Sequence, residues 1–444
     1  MPKRLLSFYG DDFTGSSDVM EAMASHGVRT VLFTRLPTPA EVAPFAGYEA
    51  IGLAGTSRSQ SPAWMDEHLP PAFAWLKALG AAHCHYKVCS TFDSGPAVGS
   101  IGRAIDIGRV VFGQEIVPLI AGAPQLKRYT AFGHLFAAYQ GAVFRIDRHP
   151  VVSRHPVTPM READLVAHLG AQTRTLVALV GLDALARPSV DKDVDAIAAA
   201  TKGIVLLDVC DAASQLAAGR QVRRLAASAG PFVAGSSGVE YALLRALEDE
   251  GRAMPRANFA AVPALPQVLV LSGSCSPTTQ RQIRHALAHG FGGIAAEPLA
   301  LAALGSGEEP RVLAAALATL GTGRSPLIHT ALGPGTDKGA ELDATPGARQ
   351  ACGEALGRIA RALMARTGLR RLILAGGDTS SHALGQLDIF ALTTRFPLTA
   401  TLGSPLCTAH SASASLNGID LAMKGGQVGN DDYFTILRDG LPAI

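Results

Sequence analysis

Short apolar runs alternate along the chain with longer stretches of helical period, and most of these runs end in small or charged residues. Residues 4–10 are such a run, and it stops at Gly10-Asp11-Asp12-Phe13-Thr14-Gly15. A helix is expected over about residues 17–26 with Gly27 as its C-terminal cap, then a β-branched strand over 28–34. The chain therefore opens strand–helix–strand, the sign of an α/β fold. Further strands are predicted at 50–54, in the run leading to Lys87, and at 117–122, 176–180, 204–208 and 232–234. After residue 266 they are predicted at 268–272, 327–330, 371–375 and 418–423. Helical period covers about 63–80, 278–288 and 348–367. Residues 251–266 are punctuated by proline and lack that period, so they read as a linker between domains at 1–250 and 267–444. The expected fold class is two α/β domains with mainly parallel sheets.

The stretch over 371–381 is the most informative. Its apolar run ends in Gly376-Gly377, followed by Asp378-Thr379-Ser380-Ser381. Two glycines let a ligand approach the backbone, and the free amides of a helix N-terminus favour an anion. The same residues also serve as an ordinary N-capped connection. Asp11 and Asp12 stand at a strand end, where α/β sheets place ligand groups. They can accept hydrogen bonds from sugar hydroxyls, and one can act as a general base; alternatively Asp11 caps the helix and Asp12 is solvated. Arg58, after the third strand and beside hydroxyls, suits a carboxylate partner. Lys87 precedes Cys89-Ser90-Thr91-Phe92-Asp93-Ser94, a run able to hold an anion or a polyol. His83 and His85 share one strand face, but no third metal ligand is in view. Residues 144–159, dense in His, Arg and Pro, can line or cover a polar site. The loop Gly333-Pro334-Gly335 lacks the G-x-G-x-x-G spacing and reads as mobile. Lys424-Gly425-Gly426 offers a charge and bare amides to phosphate, or makes a hairpin turn.

Composition narrows the class. The 444 residues exceed one core, and 48% hydrophobic with 17% charged residues suits an enzyme with a large buried interior. A net charge of +2 gives no broad field for nucleic acid or an acidic membrane surface. No apolar run reaches membrane-spanning length, and the basic-then-apolar start is too short for a signal peptide, so a cytoplasmic protein is expected. Six cysteines without C-x-x-C or zinc spacing read as reduced thiols. There is no Walker A run, no kinase H-R-D and D-F-G set, no G-x-S-x-G and no H-E-x-x-H.

Taken in order, the motifs resemble the four-carbon acid sugar kinases. They are Asp11-Asp12-Phe13-Thr14-Gly15, Thr56-Ser57-Arg58-Ser59, Lys87-Val88-Cys89-Ser90-Thr91, Gly235-Ser236-Ser237-Gly238, Ser272-Gly273-Ser274, Gly376-Gly377-Asp378-Thr379 and Lys424-Gly425-Gly426-Gln427-Val428-Gly429. The resemblance implies an N-terminal domain that binds a small sugar acid and a C-terminal domain that binds ATP without a P-loop. It implies transfer to a terminal hydroxyl of threonate, erythronate or their 3-oxo forms, with Mg²⁺ bridging the phosphates through ligands the sequence does not name. Asp11 and Asp12 would bind the acceptor hydroxyls and supply the base. Arg58, Lys87, Ser90 and Thr91 would complete the acceptor site. Ser272, Gly273, Ser274, Gly376, Gly377, Asp378, Thr379, Gly403, Lys424, Gly425 and Gly426 would hold ATP, and closure of the two domains would exclude water. Where the family usually reads K-K-I-D-S-T-L-R-G, this chain has Cys89 for the Asp and Asp93 for the Arg. That change allows a branched or oxidised acid such as 3-oxo-isoapionate. A non-catalytic sugar-acid or nucleotide sensor is the alternative, and a nicotinamide-dependent dehydrogenase a weaker one for want of a dinucleotide fingerprint. A homodimer is allowed; nucleic-acid and membrane partners are not expected.

Overall fold

Arg371–Ala375 shows how the sheets are built: five residues, all buried, with no polar–apolar alternation. Strands of this kind need a layer on both faces, as parallel sheets provide. The structure, a computed structural model, describes residues 4–155, 158–252, 256–398, 401 and 403–444. The other residues named above (1–3, 156, 157, 253–255 and 402) and the side chain of Asp378 lie outside that description. The chain divides into two units, Met1–Ala257 and Asn258–Ile444.

The first unit contains β1 (Leu6–Gly10), β2 (Thr30–Phe33), β3 (Ala50–Ala54), β4 (His83–Lys87) and β5 (Val117–Ile120). A small antiparallel sheet follows: β6 (Arg128–Ala131), β7 (His134–Tyr139) and β8 (Ala142–Arg145). β9 (Val177–Val180), β10 (Ile204–Leu207) and β11 (Phe232–Gly235) complete the main sheet. Its order is β2-β3-β1-β4-β11-β5-β10-β9, with every pair parallel. The first helix, Phe13–Ser25, starts four residues before the expected place. Asp12 caps it, and the hydroxyls of Ser16 and Ser17 bond back to the carbonyls of Asp12 and Thr14 instead of capping a later start.

The second unit holds β12 (Leu269–Ser272), β13 (Phe291–Ala295), β14 (Ser325–His329), β15 (Arg371–Ala375), β16 (Ile389–Phe396), β17 (Leu406–Ser411) and β18 (Asp420–Lys424). Their order is β13-β14-β12-β15-β18-β17-β16. The first five run parallel, and β17 is antiparallel to both β18 and β16. Arg371 is fully buried, pairs with Asp420 at 2.7 Å across β15 and β18, and donates to the carbonyls of Leu437 and Pro263. Residues 258–266, read from sequence as part of a linker, belong to this unit. Val262 exchanges backbone hydrogen bonds with Leu441, and Phe259 bonds to Ile444.

Both units use one topology at their centre. The first strand lies between the third and the fourth, β3-β1-β4 in one and β14-β12-β15 in the other. The connections from the first and fourth strands therefore leave in opposite directions and open a crevice at the C-terminal strand ends. Asp11 and Lys87 sit at one switch point, and Gly273 and Gly376 at the other.

Candidate active site

In the first unit the end of β1 carries Asp11 and Asp12, and the backbone ties them to their neighbours. Asp11 N–H donates to the Lys87 carbonyl at 2.9 Å, and Arg58 N–H to the Asp11 carbonyl at 3.0 Å. The Arg58 guanidinium forks over both acids. Nε and NH2 donate to Asp11 at 3.1 and 2.8 Å, and NH1 donates to Asp12. Burial works against the Arg58 charge, but the two carboxylates hold its pKa well above the usual value. Burial raises the Asp11 pKa, opposed by Arg58. The two acids differ in access: the Asp11 side chain is 5% exposed and that of Asp12 29%. Asp12, not Asp11, is the N-cap, accepting from the Gly15 amide.

Lys87 is buried below this pair. Its Nζ donates to the Val88 carbonyl at 3.0 Å and lies 3.8 Å from Asp18, whose pKa burial raises and whose carboxylate accepts from Ser237. Gly15 leaves room for it, since a Cβ there would stand 3.1 Å from Nζ. His85 bonds to Glu240 through Nδ1 and to the Gly235 carbonyl at 3.0 Å through Nε2, so neither ring nitrogen is left for a metal. In the loop after β4, Thr91 donates to Asp93 and contacts Cys89 Sγ at 2.9 Å, and Thr158 donates to Asp93 at 3.3 Å. Ser90 is half-buried beside them. A cavity of about 350 Å³ is walled by Ser94, Val98, Thr158 and His168.

In the second unit a cavity of about 400 Å³ lies at the ends of β12 and β15. Gly273, Ser274, Gly376, Gly377, Thr379 and Gly426 line it. The fit between its turns is close. A Cβ at residue 273 would stand 1.8 Å from Thr379 Oγ1, and Gly376, with φ of 114°, has Ser274 N 3.2 Å from the place of its Cβ. Only glycine meets both demands without strain. The 8-residue helix Gly377–Leu384 begins at this wall without a side-chain cap, so its first amides lack intrahelical partners. In the 12-residue helix Pro277–Ala288 the first residue has no N–H, and the Thr279 amide donates to Ser276 Oγ at 3.0 Å. Ser272 Oγ is buried beneath it without a hydrogen-bond partner among the described residues.

Lys424, Gly425, Ser272 and Gly403 are not among the lining residues, and the backbone of Asp378 lies in the second of those helices. Lys424 acts from below. Its Nζ donates to Thr279 Oγ1 at 3.0 Å and the Gly425 carbonyl at 2.9 Å, while Thr279 and Ser276 donate to the Gly426 carbonyl. The 333–335 loop read as mobile holds a short 3-10 turn, Pro334–Thr336, and Pro334 forms part of the wall. Cys275, Thr330, Arg349 and Cys352 also line the space and were not singled out in the sequence. Arg349 and Cys352 come from the helix Ala348–Thr367, where helical period alone does not say which face meets a ligand.

Burial pushes the Lys424 pKa down to about 8. Its ammonium is therefore lost as pH rises through about 8, and an anion bound near it would favour the charged form. Nucleotide binding at pH 8 is expected to take up as much as about half a proton through Lys424. Calorimetry in buffers of different ionisation heat measures this. Equal apparent heats at pH 8 would show that Lys424 does not sense the nucleotide.

Two family-wide sequence profiles match the chain. One, described as a sugar-binding N-terminal domain, matches residues 6–243. The other, a nucleotide-binding C-terminal domain, matches residues 269–434. A 3-oxo-isoapionate kinase of Paraburkholderia graminis is 43% identical, over 98% of this chain and 94% of that protein. A 3-oxo-tetronate kinase of Methylobacterium radiotolerans is 33% identical, over 97% of each. A crystal structure of a Haemophilus influenzae protein superposes with a TM-score of 0.73 at 24% identity, covering 97% of this chain and 99% of that one, and so shares the fold.

Proposed function

The chain belongs to the four-carbon acid sugar kinase family, and from that premise we propose that it transfers the γ-phosphoryl group of ATP to a terminal hydroxyl of a small sugar acid. The observation that carries this reading is the pairing of two switch-point sites of opposite chemistry. The first unit presents carboxylates and guanidinium to a polyol, and the second presents glycine turns and helix amides to phosphate.

The acceptor we favour is a branched 3-oxo acid of the 3-oxo-isoapionate type. The 43% identical relative bears that name, whereas the tetronate kinase is 33% identical. Cys89 and Asp93, at positions where the family usually has Asp and Arg, are compatible with the same choice.

Phosphoryl transfer is mostly positioning and charge neutralisation. Asp12 is the carboxylate that an acceptor hydroxyl can reach. It orients that hydroxyl and takes its proton, while Arg58 fixes both acids. Gly273, Ser274, Gly376, Gly377 and Thr379 hold the phosphates, with Lys424 supporting the Gly425-Gly426 turn. ATP chemistry of this class uses Mg²⁺. The described lining residues include no Asp or Glu, and no group of three or more His, Cys, Asp or Glu among the described residues is placed to hold a metal. The described residues offer the ion no carboxylate cage here, and no step is assigned to it.

A coupled ADP-release assay with threonate, erythronate, their 3-oxo forms and 3-oxo-isoapionate tests the reading. ADP release should depend on the acid and be fastest with the branched one. Preference for a tetronate would reject the acceptor while keeping the reaction class.

A further inference from the structure

A sugar acid brings a full negative charge to its site, and both cations expected to meet it are already engaged. Arg58 is forked across Asp11 and Asp12. Lys87 is 2% exposed, donates to the Val88 carbonyl and lies beside Asp18. Arg128 differs from both. It opens β6, a few residues past the C-terminal end of β5, on the same rim of the sheet as Asp11 and Lys87. Backbone bonds with Ala123 in both directions hold it there.

Its side chain is anchored on one edge and unpaired on the other. NH1 donates to the carbonyls of Leu126 at 3.0 Å and Lys127 at 3.2 Å. Nε is buried and has no hydrogen-bond partner among the described residues. The acidic groups that face the guanidinium are the Cys89 thiol and the Tyr129 phenol, neither of them a carboxylate. Cys89, in the loop after β4 that carries Ser90 and Thr91, is near enough to feel both Arg58 and Arg128. The edge formed by Nε and NH2 is the one that donates two parallel hydrogen bonds to a carboxylate.

We infer that Arg128 anchors the carboxylate of the acceptor through this unpaired edge; the inference rests on the reading of the first unit as the sugar-acid site. Burial disfavours the charge of Arg128 when no acid is bound. A planar carboxylate would satisfy the buried Nε and offset that penalty at once. The selected feature is thus a carboxylate at a fixed distance from the hydroxyl that Asp12 meets.

The test compares Arg128→Ala and Arg128→Lys with the unaltered chain, on the acid it turns over fastest and on the carboxamide of that acid. Arg128→Ala should raise KM for the acid about tenfold to a hundredfold. It should leave KM for ATP and KM for the carboxamide unchanged, and Arg128→Lys should fall between, since it keeps the charge and loses the fork. A purely structural role would penalise acid and amide alike, and that result overturns the inference. Should the variants fail to fold, labelling of the unaltered chain by phenylglyoxal decides. Arg128 should be modified and protected by the acid, and modification undiminished by saturating acid would overturn the inference. Absence of turnover by the unaltered chain on every acid, with ATP bound, would instead reject the proposed function.

Discussion

Asp12→Asn should lower turnover of the sugar acid by about a hundredfold or more while leaving ADP affinity and melting temperature near those of the unaltered chain. The expectation follows from what Asn keeps and what it loses. An amide oxygen still caps the helix Phe13–Ser25 through the Gly15 amide, so the turn persists. The negative charge facing Arg58 and the acceptor hydroxyl is gone. Asp11 cannot replace it, because its side chain is 5% exposed and both its oxygens accept from Arg58. Steady-state kinetics with saturating acid, together with calorimetry of ADP binding, separate these effects. Turnover equal to that of the unaltered chain would remove Asp12 from the chemistry, and a lost melting transition would show that its role is structural.

Gly376→Ala should weaken nucleotide binding about tenfold to a hundredfold and leave KM for the acid unchanged. At φ of 114° an L-residue is strained by about 1–3 kcal/mol, which corresponds to that range of affinity. The new methyl would also stand 3.2 Å from Ser274 N and 3.4 Å from Thr379 Oγ1. The turn can relieve both only by moving Ser274 or Thr379, which line the cavity. Fluorescence titration with a labelled ADP measures the change. An unaltered Kd would mean that this turn does not hold the nucleotide.

How much of this was legible in sequence depended on whether the signal was local. The strand Arg371–Ala375 and the helix Ala348–Thr367 fall where the sequence placed them, because a buried strand is mostly a continuous apolar run and a long helix keeps its period. Both glycine turns of the second unit were recognised for the same reason. The sheet of β6, β7 and β8 was missed. Its strands are only partly buried, so their alternation is weak, and Phe132 and Gln140 take positive φ just before Gly133 and Gly141. The β13 run carries two glycines, which usually weaken a strand. Pairing of charges was not legible at all. Arg58 and Lys87 read as contacts of an acceptor, and the protein's own acids that hold them were not foreseen: one is shared by Asp11 and Asp12 and the other is buried beside Asp18. Lys424 read as a phosphate contact or part of a hairpin turn, and its bonds to Thr279 and the Gly425 carbonyl were not legible in the sequence. Arg128 was one letter among several basic residues, and its unpaired edge exists only once Leu126 and Lys127 occupy the other.

The central claim is acid-dependent phosphoryl transfer, and the coupled ADP-release assay of the unaltered chain tests it most directly. With ATP present, ADP should form only when a sugar acid is added, in amounts equal to the acid consumed. ADP formed at the same rate without acid, or none with any acid tried, would contradict the account.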